Sequence, residues 1–414
     1  MKTAAIIAEY NPFHNGHAYQ IEETRKLTGA DYILVLMSGD FVQRGAPAIF
    51  NKYLRTRMAL LGGADVVLEL PLPYACSSAE FFAGGGITLL NQLNTVDYLS
   101  FGSECGDIDT LLYFAHILLN EPDSYLTALH SYLKQGLSFP AARYQALLQS
   151  CASYDEAIIN SLFSAPNNIL GLEYCKALLA LDSPIQPVTI ERMGSYHNDS
   201  LQEYSSATAI RKALLETNES ICNHVPESVC SLLTACMEKE PPTCLDTDDF
   251  SLLLHYKLLS ERNSGFADYL DCNQEISDKI CKYLPDYTNF TCFCDLLKSK
   301  NLTYTRISRI LLHILLDIKT PAFYKNTLAE RELFVPYARL LGFKKEASPL
   351  LNQIKKCSTI PLLGNLADSG RVLSEPAGIM LQKEIFACHV YESVYAAKSG
   401  HTALNEYRQA PIVL

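Results

Sequence analysis

The sequence predicts an α/β fold, with a doubly wound parallel sheet, a helical insertion and a mostly α-helical C-terminal domain. In the first hundred residues, short runs of continuous apolar residues alternate with stretches of helical periodicity. Continuous apolarity is typical of parallel strands that are buried on both faces. The alternation of strand and helix indicates right-handed βαβ units, and therefore a Rossmann-like sheet.

The elements follow in chain order. We expect strands at 4–8, 32–37, 66–70, 98–101 and 187–191, and helices at 16–27, 52–61 and 77–93. Residues 106–166 have helical spacing and predict an insertion, and from about residue 216 onward the strands stop. We therefore expect a catalytic domain over residues 1–215 and an α-helical domain over residues 216–414.

Composition and charge restrict the class of protein. The chain has 414 residues, enough for two or three domains. Its net charge of -11 argues against a protein that binds nucleic acid over its whole surface. The charge is uneven, however: residues 1–215 carry -8 and residues 296–360 carry +8. The basic window is the candidate surface for a polyanion.

The cysteines and the N-terminus indicate a cytoplasmic protein. None of the 14 cysteines forms a CxxC pair, which argues against a structural zinc site, and we expect reduced, mostly buried thiols. The first apolar run is too short for a signal peptide. No uncharged window reaches the ~18 residues of a membrane-spanning helix.

The motif His14-Asn15-Gly16-His17 lies where the first predicted strand ends and the first helix begins. Ligands of open α/β sheets bind beyond the carboxyl ends of the strands, and a helix N-terminus there favours phosphate. Gly16 permits close approach, and the two imidazoles share one helical face. The spacing alone also fits metal ligation or plain surface histidines.

A second candidate phosphate site lies far downstream, in residues 206–211. We expect a helix that begins at Ser205 or Ser206, with Thr208 in its first turn and Arg211 one turn along. Hydroxyl and N–H groups at such a helix start suit β- and γ-phosphates. The alternative is a simple helix cap with a solvated arginine.

Together the two segments resemble the HIGH and ISSTxxR signatures of the nucleotidyltransferase superfamily, so the sheet is expected to be of the HIGH type. Ser205 stands where isoleucine is usual, and Ala207 replaces the second serine. Longer stretches look like the bacterial tRNA(Met) cytidine acetate ligase family. These stretches are residues 6–17, 38–45, 63–71, 101–104, 166–174, 206–214, 304–306 and 354–356. The resemblance covers nearly the whole chain.

The resemblance implies a two-step ligase. ATP and acetate form acetyl-adenylate and pyrophosphate, and the exocyclic amine of the wobble cytidine in elongator tRNA(Met) then attacks to give N(4)-acetylcytidine. ATP, acetate and elongator tRNA(Met) are therefore the expected partners, with Mg²⁺ as the expected cation. Neither a membrane nor a protein partner is implied. Bonding acetate to the α-phosphate makes adenylate the leaving group, which a weakly nucleophilic amine requires.

The resemblance also assigns residues by position. His14 and His17 are the implied catalytic residues. The residues implied to bind ATP, with the superfamily role extended to the last three, are Ile7, Ala8, Glu9, Tyr10, Asn11, Pro12, Phe13, His14, Asn15, Gly16, His17, Gln20, Gly102, Asn167, Arg192, Ser206, Thr208 and Arg211. Glu9, Asp40 and Glu69 lie near predicted strand ends, but strand-end carboxylates also cap helices, and we assign no metal ligand.

The basic window supplies the candidate tRNA-binding residues. They are Arg306, Arg309, Lys344, Lys345, Lys355 and Lys356, with Tyr304 as a candidate for stacking on an unpaired base. The alternative is that the two arginines form the solvated face of an apolar helix.

Two other functions share some of these features. An adenylyltransferase for a small phosphorylated metabolite uses the same N-terminal motifs, but it has no use for about 200 further helical residues. A non-catalytic RNA-binding factor with a degenerate nucleotide fold does not require His14, Gly16, His17 and Arg211, all of which are present.

Overall fold

The computed structural model of the chain describes residues 1–151, 154–192, 206–217, 221–239, 242–320 and 333–414. The strands are β1 (Thr3–Ala8), β2 (Tyr32–Ser38), β3 (Phe41–Val42), β4 (Ala46–Pro47), β5 (Val66–Leu70), β6 (Tyr98–Ser103), β7 (Gln186–Glu191), β8 (Ala338–Phe343), β9 (Leu362–Leu363) and β10 (Ile412–Val413).

The α-helices of the first half are α1 (Asn15–Thr28), α2 (Lys52–Leu61), α3 (Leu72–Ala75), α4 (Ala79–Leu93), α5 (Ile108–Asn120), α6 (Asp123–Lys134), α7 (Phe139–Ser150), α8 (Glu156–Ser164) and α9 (Pro166–Ala180). Those of the second half are α10 (Ala207–Lys212), α11 (Glu227–Lys239), α12 (Ser251–Glu261), α13 (Gln274–Tyr283), α14 (Phe290–Leu297), α15 (Tyr304–Leu315), α16 (Ser348–Cys357), α17 (Ser369–Val372) and α18 (Glu375–Ser399). Among the residues so described, no helix is both long and apolar enough to cross a membrane.

The central sheet confirms the predicted class. Its strands run β10-β8-β5-β2-β1-β6-β7, and the five from β5 to β7 are mutually parallel. These are the five strands that the sequence predicts. The chain order reverses between β1 and β6, so the carboxyl ends of these two strands open a crevice at the position where such sheets bind ligands.

The helical insertion is also confirmed. Four helices, α5 to α8, occupy the segment between β6 and α9, and α9 packs against α4 and α5. Pro166 starts α9 at its first turn, where a missing N–H costs nothing. The insertion therefore returns the chain to the sheet at the carboxyl end of β6.

The expectation that strands stop after residue 216 is wrong. Strand β8 pairs antiparallel with β5, and β9 and β10 pair with β8 in parallel. The C-terminal half thus completes the sheet that the N-terminal half begins. The division into functional domains near residue 215 stays a prediction.

A cluster of four charged side chains joins β8 to the N-terminal half. This buried charge cluster consists of Lys52, Glu69, Arg339 and Glu406, which are at most 5% exposed. The Lys52 Nζ lies 2.9 Å from Glu69 Oε1 and 2.7 Å from Glu406 Oε1. Arg339 Nη1 lies 3.1 Å from Glu69 Oε2, and Arg339 also pairs with Glu406. Mutual pairing is what makes buried charge tolerable.

One pair of cysteines departs from the expected reduced state. A disulfide joins Cys222 to Cys230, which lies in α11. The other cysteines are free, and half of them are buried. The expectation of reduced, mostly buried thiols is therefore wrong for this pair.

The buried charge cluster predicts a large effect of Lys52→Met. The variant leaves two carboxylates buried with one cation, so we expect the free energy of unfolding to fall by about 3 to 5 kcal/mol. Lys26→Met is the control, because Lys26 lies on the surface beside Glu22 and Glu23, where an exposed ion pair contributes little to stability, and a far smaller loss is expected. Urea and thermal unfolding measure both variants, and equal losses would contradict the assignment.

Candidate active site

A cavity of about 330 Å³ lies at the carboxyl ends of β1, β6 and β7. The starts of α1 and α10 border it. Its walls include these residues that the sequence analysis selects: Ile7, Ala8, Glu9, Tyr10, Asn11, His14, Gly16, His17, Gln20, Gly102, Asn167, Arg192, Ser206, Thr208 and Arg211. Most of the predicted ATP-binding residues therefore lie around one space.

A fully buried guanidinium, that of Arg55, binds main-chain oxygens beneath the loop that follows β1. The Arg55 Nη1 donates to the main-chain oxygens of Glu9 at 2.6 Å and Ser38 at 3.1 Å, and Nε donates to Phe50 O at 2.9 Å. Arg55 also donates to Gly39 O. Glu9 follows β1, and Ser38 and Gly39 lie at the end of β2, so one side chain of α2 ties the two central strand ends together. Phe50 directly precedes the N-cap of α2.

The loop after β1 has an unusual backbone. Tyr10 has a φ of 46°, in the left-handed region that costs a bulky residue energy. Its buried ring packs against Phe13 and His17, with ring centroids 4.8 and 4.7 Å away. The Asn11 Oδ1 accepts the Ile49 N–H at 2.8 Å. Packing and this bond together hold the loop in the shape that directs α1 at the cavity.

The two histidines cap α1. The His14 Nδ1 accepts the Gly16 N–H at 3.1 Å, and the His17 Nδ1 accepts the His14 N–H at 3.2 Å. The rings stack with centroids 3.7 Å apart. Since Nδ1 accepts in both rings, a neutral imidazole carries its proton on Nε2. A Cβ on Gly16 would lie 2.9 Å from His14 Cε1, so the cap requires glycine at this position.

Burial keeps these imidazoles neutral. Burial, with the charges of Arg192 and Arg211, lowers the pKa of His14 to about 3. Burial, followed by the influence of His14 and Arg192, holds the pKa of His17 well below its usual value. Both rings therefore serve at physiological pH as hydrogen-bond donors through Nε2–H, and the positive charge of the site comes from the arginines.

The second predicted phosphate segment meets the first. The Ser206 Oγ caps α10 by accepting the Ala209 N–H at 3.1 Å. The Arg211 Nη1 donates to Asn11 O at 2.7 Å, and Nη2 donates to Thr208 Oγ1 at 3.1 Å. Two helix starts separated by about 200 residues of chain are thereby joined. The predicted start at Ser205 lies outside the described residues.

A polar chain borders the third side of the cavity. The Asn167 Nδ2 donates to Glu104 Oε1 at 2.6 Å, and its Oδ1 accepts from Arg192 Nη1 at 3.1 Å. Glu104 was missed as a positioning residue, although it belongs to a segment that carries the family resemblance. Gly102 lies within β6, and a Cβ there would lie 3.2 Å from Arg192 Cγ.

Three predicted residues do not line the cavity. Phe13 is buried behind the loop, where a Cβ on Gly62 would meet its ring at 2.2 Å. Pro12 is buried in the same loop. The Asn15 Nδ2 donates outward to Asn223 O at 3.3 Å. These residues shape the loop, and a direct contact between them and ATP stays a prediction.

The structure adds residues that sequence reasoning missed. Gln43 and Arg44 reach the cavity from the turn between β3 and β4. Their signal was present, since residues 38–45 carry the resemblance. An apolar wall was not anticipated, because its members come from four separate elements. It consists of Phe82, Phe101, Leu170, Tyr174 and Ile190.

Two of the three strand-end carboxylates are used elsewhere. The Asp40 Oδ1 accepts the Lys52 N–H at 2.7 Å, and Glu69 belongs to the buried charge cluster. Only Glu9 of the three lines the cavity. Within the described ranges, no group of three His, Cys, Asp or Glu side chains is placed to hold a metal ion. We therefore assign no metal ligand among these side chains.

The predicted tRNA-binding residues fall near opposite ends of the parallel strands, the arginines near the carboxyl ends and the lysines near the amino ends. Helix α15, with Arg306 and Arg309, packs on the β3–β4 turn, where the Ser308 Oγ donates to Gly45 O at 2.9 Å. A Cβ on Gly45 would lie 2.4 Å from the Arg309 nitrogen, so this contact is tight. That turn carries Gln43 and Arg44, which line the cavity, so α15 packs beside the cavity wall. Arg306 is exposed, whereas the Arg309 Nε lies 3.7 Å from Asp271 Oδ2.

The four lysines lie at the opposite edge. The Lys344 N–H donates to Asp65 O at 2.9 Å, and Asp65 directly precedes β5. Lys345 follows in the same turn. Lys355 and Lys356 end α16, whose Cys357 oxygen accepts from Asn94 Nδ2 at 3.1 Å near the amino end of β6. The six residues therefore do not form one continuous surface.

Comparisons with known proteins agree with this architecture. Residues 1–406 match the model of the HIGH Nucleotidyl Transferase family. A Clostridium perfringens (strain SM101) protein named tRNA(Met) cytidine acetate ligase is 39% identical over 403 residues, which cover 94% of this chain and 95% of that protein. An Acetivibrio thermocellus protein of the same name is 37% identical over 423 residues and covers 100% of both.

A solved structure is similar over the full length. It is Thermotoga maritima TmcAL bound with alpha-thio ATP, which covers 100% of both chains with a TM-score of 0.89 and 30% sequence identity. The apo form of the same Thermotoga protein gives a TM-score of 0.91 at 29% identity.

The lowered pKa of His14 predicts its titration. A pKa of about 3 keeps the imidazole neutral throughout the usual working range, so its NMR shifts are expected to stay constant from about pH 8 to about pH 5. In urea the same residue is expected to titrate near 6.5. Arg211→Ala removes a neighbouring positive charge and is expected to raise the pKa. A midpoint between about 6 and 7 in the folded wild type would contradict the assignment.

Proposed function

Because the chain belongs to the HIGH Nucleotidyl Transferase family, and within it to the tRNA(Met) cytidine acetate ligases, we propose that it activates acetate with ATP and acetylates the wobble cytidine of elongator tRNA(Met). The observation that carries this proposal is the convergence of the His14 and His17 pair with Arg211 at one crevice. We place this reaction in the cytoplasm.

The first step forms acetyl-adenylate. An acetate oxygen attacks the α-phosphorus of ATP, and pyrophosphate leaves with the electron pair of the broken P–O bond. Negative charge grows on the phosphate oxygens during this step, and fixed donors stabilise it. The Nε2–H groups of His14 and His17 and the guanidinium of Arg211 are the proposed donors. Mg²⁺ enters with ATP as part of the substrate.

The remaining cavity residues hold the nucleotide. We propose that Asn167 and Arg192 bind it beside Gly102, where the absence of a side chain lets the adenosine approach β6. Ser206 and Thr208 supply hydroxyls on the opposite side. The backbone of residues 7–17, fixed through Arg55 and Asn11, follows the triphosphate.

The second step transfers the acetyl group to RNA. The anticodon loop is single-stranded, so moving its wobble base into a pocket costs less than opening a duplex. Arg306 and Arg309 lie on α15, which packs on the β3–β4 turn, and are the proposed phosphate contacts nearest the reaction. The lysines at the opposite edge are proposed to touch a more distant part of the tRNA. An adenylyltransferase for a small metabolite has no use for such a surface.

The direct test supplies the protein with ATP, acetate and elongator tRNA(Met). We expect acetate-dependent exchange of labelled pyrophosphate into ATP and acetylated cytidine by mass spectrometry. His17→Ala is expected to lower the exchange rate by about 10²- to 10³-fold, because a fixed donor to the reacting phosphate is lost. His401→Ala, which changes an exposed histidine after α18, is the control. Exchange that ignores acetate would contradict the proposal.

The tRNA surface is tested by the salt dependence of binding. Arg306→Ala removes one exposed cation, so we expect weaker tRNA binding and a logarithmic salt slope that is smaller by about 1. Lys355→Ala is the matched variant at the opposite edge and is expected to have a smaller effect on the transfer rate. If Lys355→Ala lowered the transfer rate more than Arg306→Ala, the tRNA would approach from the side of the lysines instead.

A further inference from the structure

Glu9 is the unusual residue of the cavity, because it brings a carboxylate to a site built for a polyanion. It directly follows β1 and is one of the residues that line the cavity. The carboxylate is held by the β3–β4 turn, since its Oε1 accepts the Gln43 N–H at 3.0 Å. Its main-chain oxygen accepts from the buried Arg55 at 2.6 Å. The position of the charge is therefore set by the fold.

A phosphate contact does not explain this charge. A carboxylate oxygen repels a triphosphate, and the repulsion is strong where water is excluded. A metal bridge is not supported either, because Asp40 and Glu69 are occupied by other partners. Among the described wall residues, the other carboxylate is Glu191, at the end of β7. Strands β6 and β1 lie between Glu191 and the β3–β4 turn, to which Glu9 is bonded.

The neighbours of Glu9 place it between the two halves of the reaction. On one side is the nucleotide half: the charge of Glu9 acts on Arg211, which binds Asn11 O two residues along the loop. On the other side is the turn that carries Gln43, and this turn holds helix α15 through Gly45 and Ser308. Glu9 thus links the phosphate-binding groups to the edge proposed to receive RNA.

The chemistry of the second step requires a group of this kind. The exocyclic amine of cytosine is a poor nucleophile, because its lone pair is delocalised into the ring. The amine becomes more acidic as the new bond to carbon forms, and a positioned base then lowers the barrier. Apolar rings from Phe82, Phe101 and Tyr174 form part of the same cavity and limit the access of water.

We propose that Glu9 is the catalytic base of the acetyl-transfer step, an inference that rests on the proposed function. The N4 lone pair of cytidine attacks the carbonyl carbon of acetyl-adenylate, and a C–N bond forms. The bond between that carbon and the adenylate oxygen breaks, and AMP leaves with the electron pair. One N4 proton passes to the Glu9 carboxylate and from there to solvent. Before the attack, the same carboxylate orients the amine by accepting its N–H.

The test separates the two half-reactions. Glu9→Gln keeps the oxygen that accepts from Gln43 but does not act as a base. Because Glu9 also belongs to the proposed ATP-binding loop, some loss of acetate-dependent pyrophosphate exchange is expected, but single-turnover transfer from preformed acetyl-adenylate to tRNA(Met) is expected to fall by at least about 10²-fold more than exchange does. Glu22→Gln, an exposed carboxylate on α1, is the control for loss of charge.

Several outcomes overturn the inference. Equal losses in exchange and transfer, or recovery of exchange at high Mg²⁺ concentration, assign Glu9 to the ATP step. An unchanged transfer rate removes its role altogether. Glu9→Asp retains a carboxylate and is expected to transfer faster than Glu9→Gln, so equal transfer rates also count against a base. Failure of the proposed function is seen separately, as wild-type protein without acetate-dependent exchange.

Discussion

The candidate site depends on one buried guanidinium. Arg55 is fully buried on α2 and donates to four main-chain oxygens that lie after β1, at the end of β2 or beyond it. Parallel strands otherwise end in unpaired carbonyl groups, which are costly to bury. By satisfying several of them at once, Arg55 closes the strand ends beneath the loop that carries the histidines. The orientations of Glu9 and of the loop follow from this arrangement.

The same helix connects the site to the stability of the whole sheet. Lys52, one turn before Arg55, belongs to the buried charge cluster that includes Arg339 of β8 and Glu406 near the C-terminus. Helix α2 therefore carries Arg55, which binds the strand ends beneath the candidate site, and Lys52, which joins the two halves of the chain. The C-terminal half accordingly completes the catalytic sheet besides carrying candidate RNA contacts.

The electrostatics of the crevice separate two roles. His14 is buried and His17 is half-buried, and both imidazoles are neutral, so they donate hydrogen bonds of fixed direction without adding a permanent charge. The positive charge resides on arginines, among them Arg192 and Arg211, which are side chains that remain ionised even when partly desolvated. A neutral donor that is already oriented by a cap requires little reorganisation as charge moves onto the phosphate. The carboxylate of Glu9 lies between this crevice and the turn that carries α15.

The sequence by itself determined the local features: five parallel strands, the helical insertion, and two helix starts suited to phosphate. These are encoded in periodicity and capping patterns within a few residues, and the long motifs identified the family. Tertiary structure alone decided which distant groups meet. The bond of Arg211 to Asn11, the pairing of Glu69 with Lys52 and Arg339, and the separation of the basic residues onto two edges all join remote parts of the chain. A charged residue such as Arg339 is unfavourable in a buried strand until its partners are present. The local sequence pattern therefore predicts a helix or a loop where β8 lies. Charge compensation is a property of the folded neighbourhood, and for that reason sequence reasoning did not reach it.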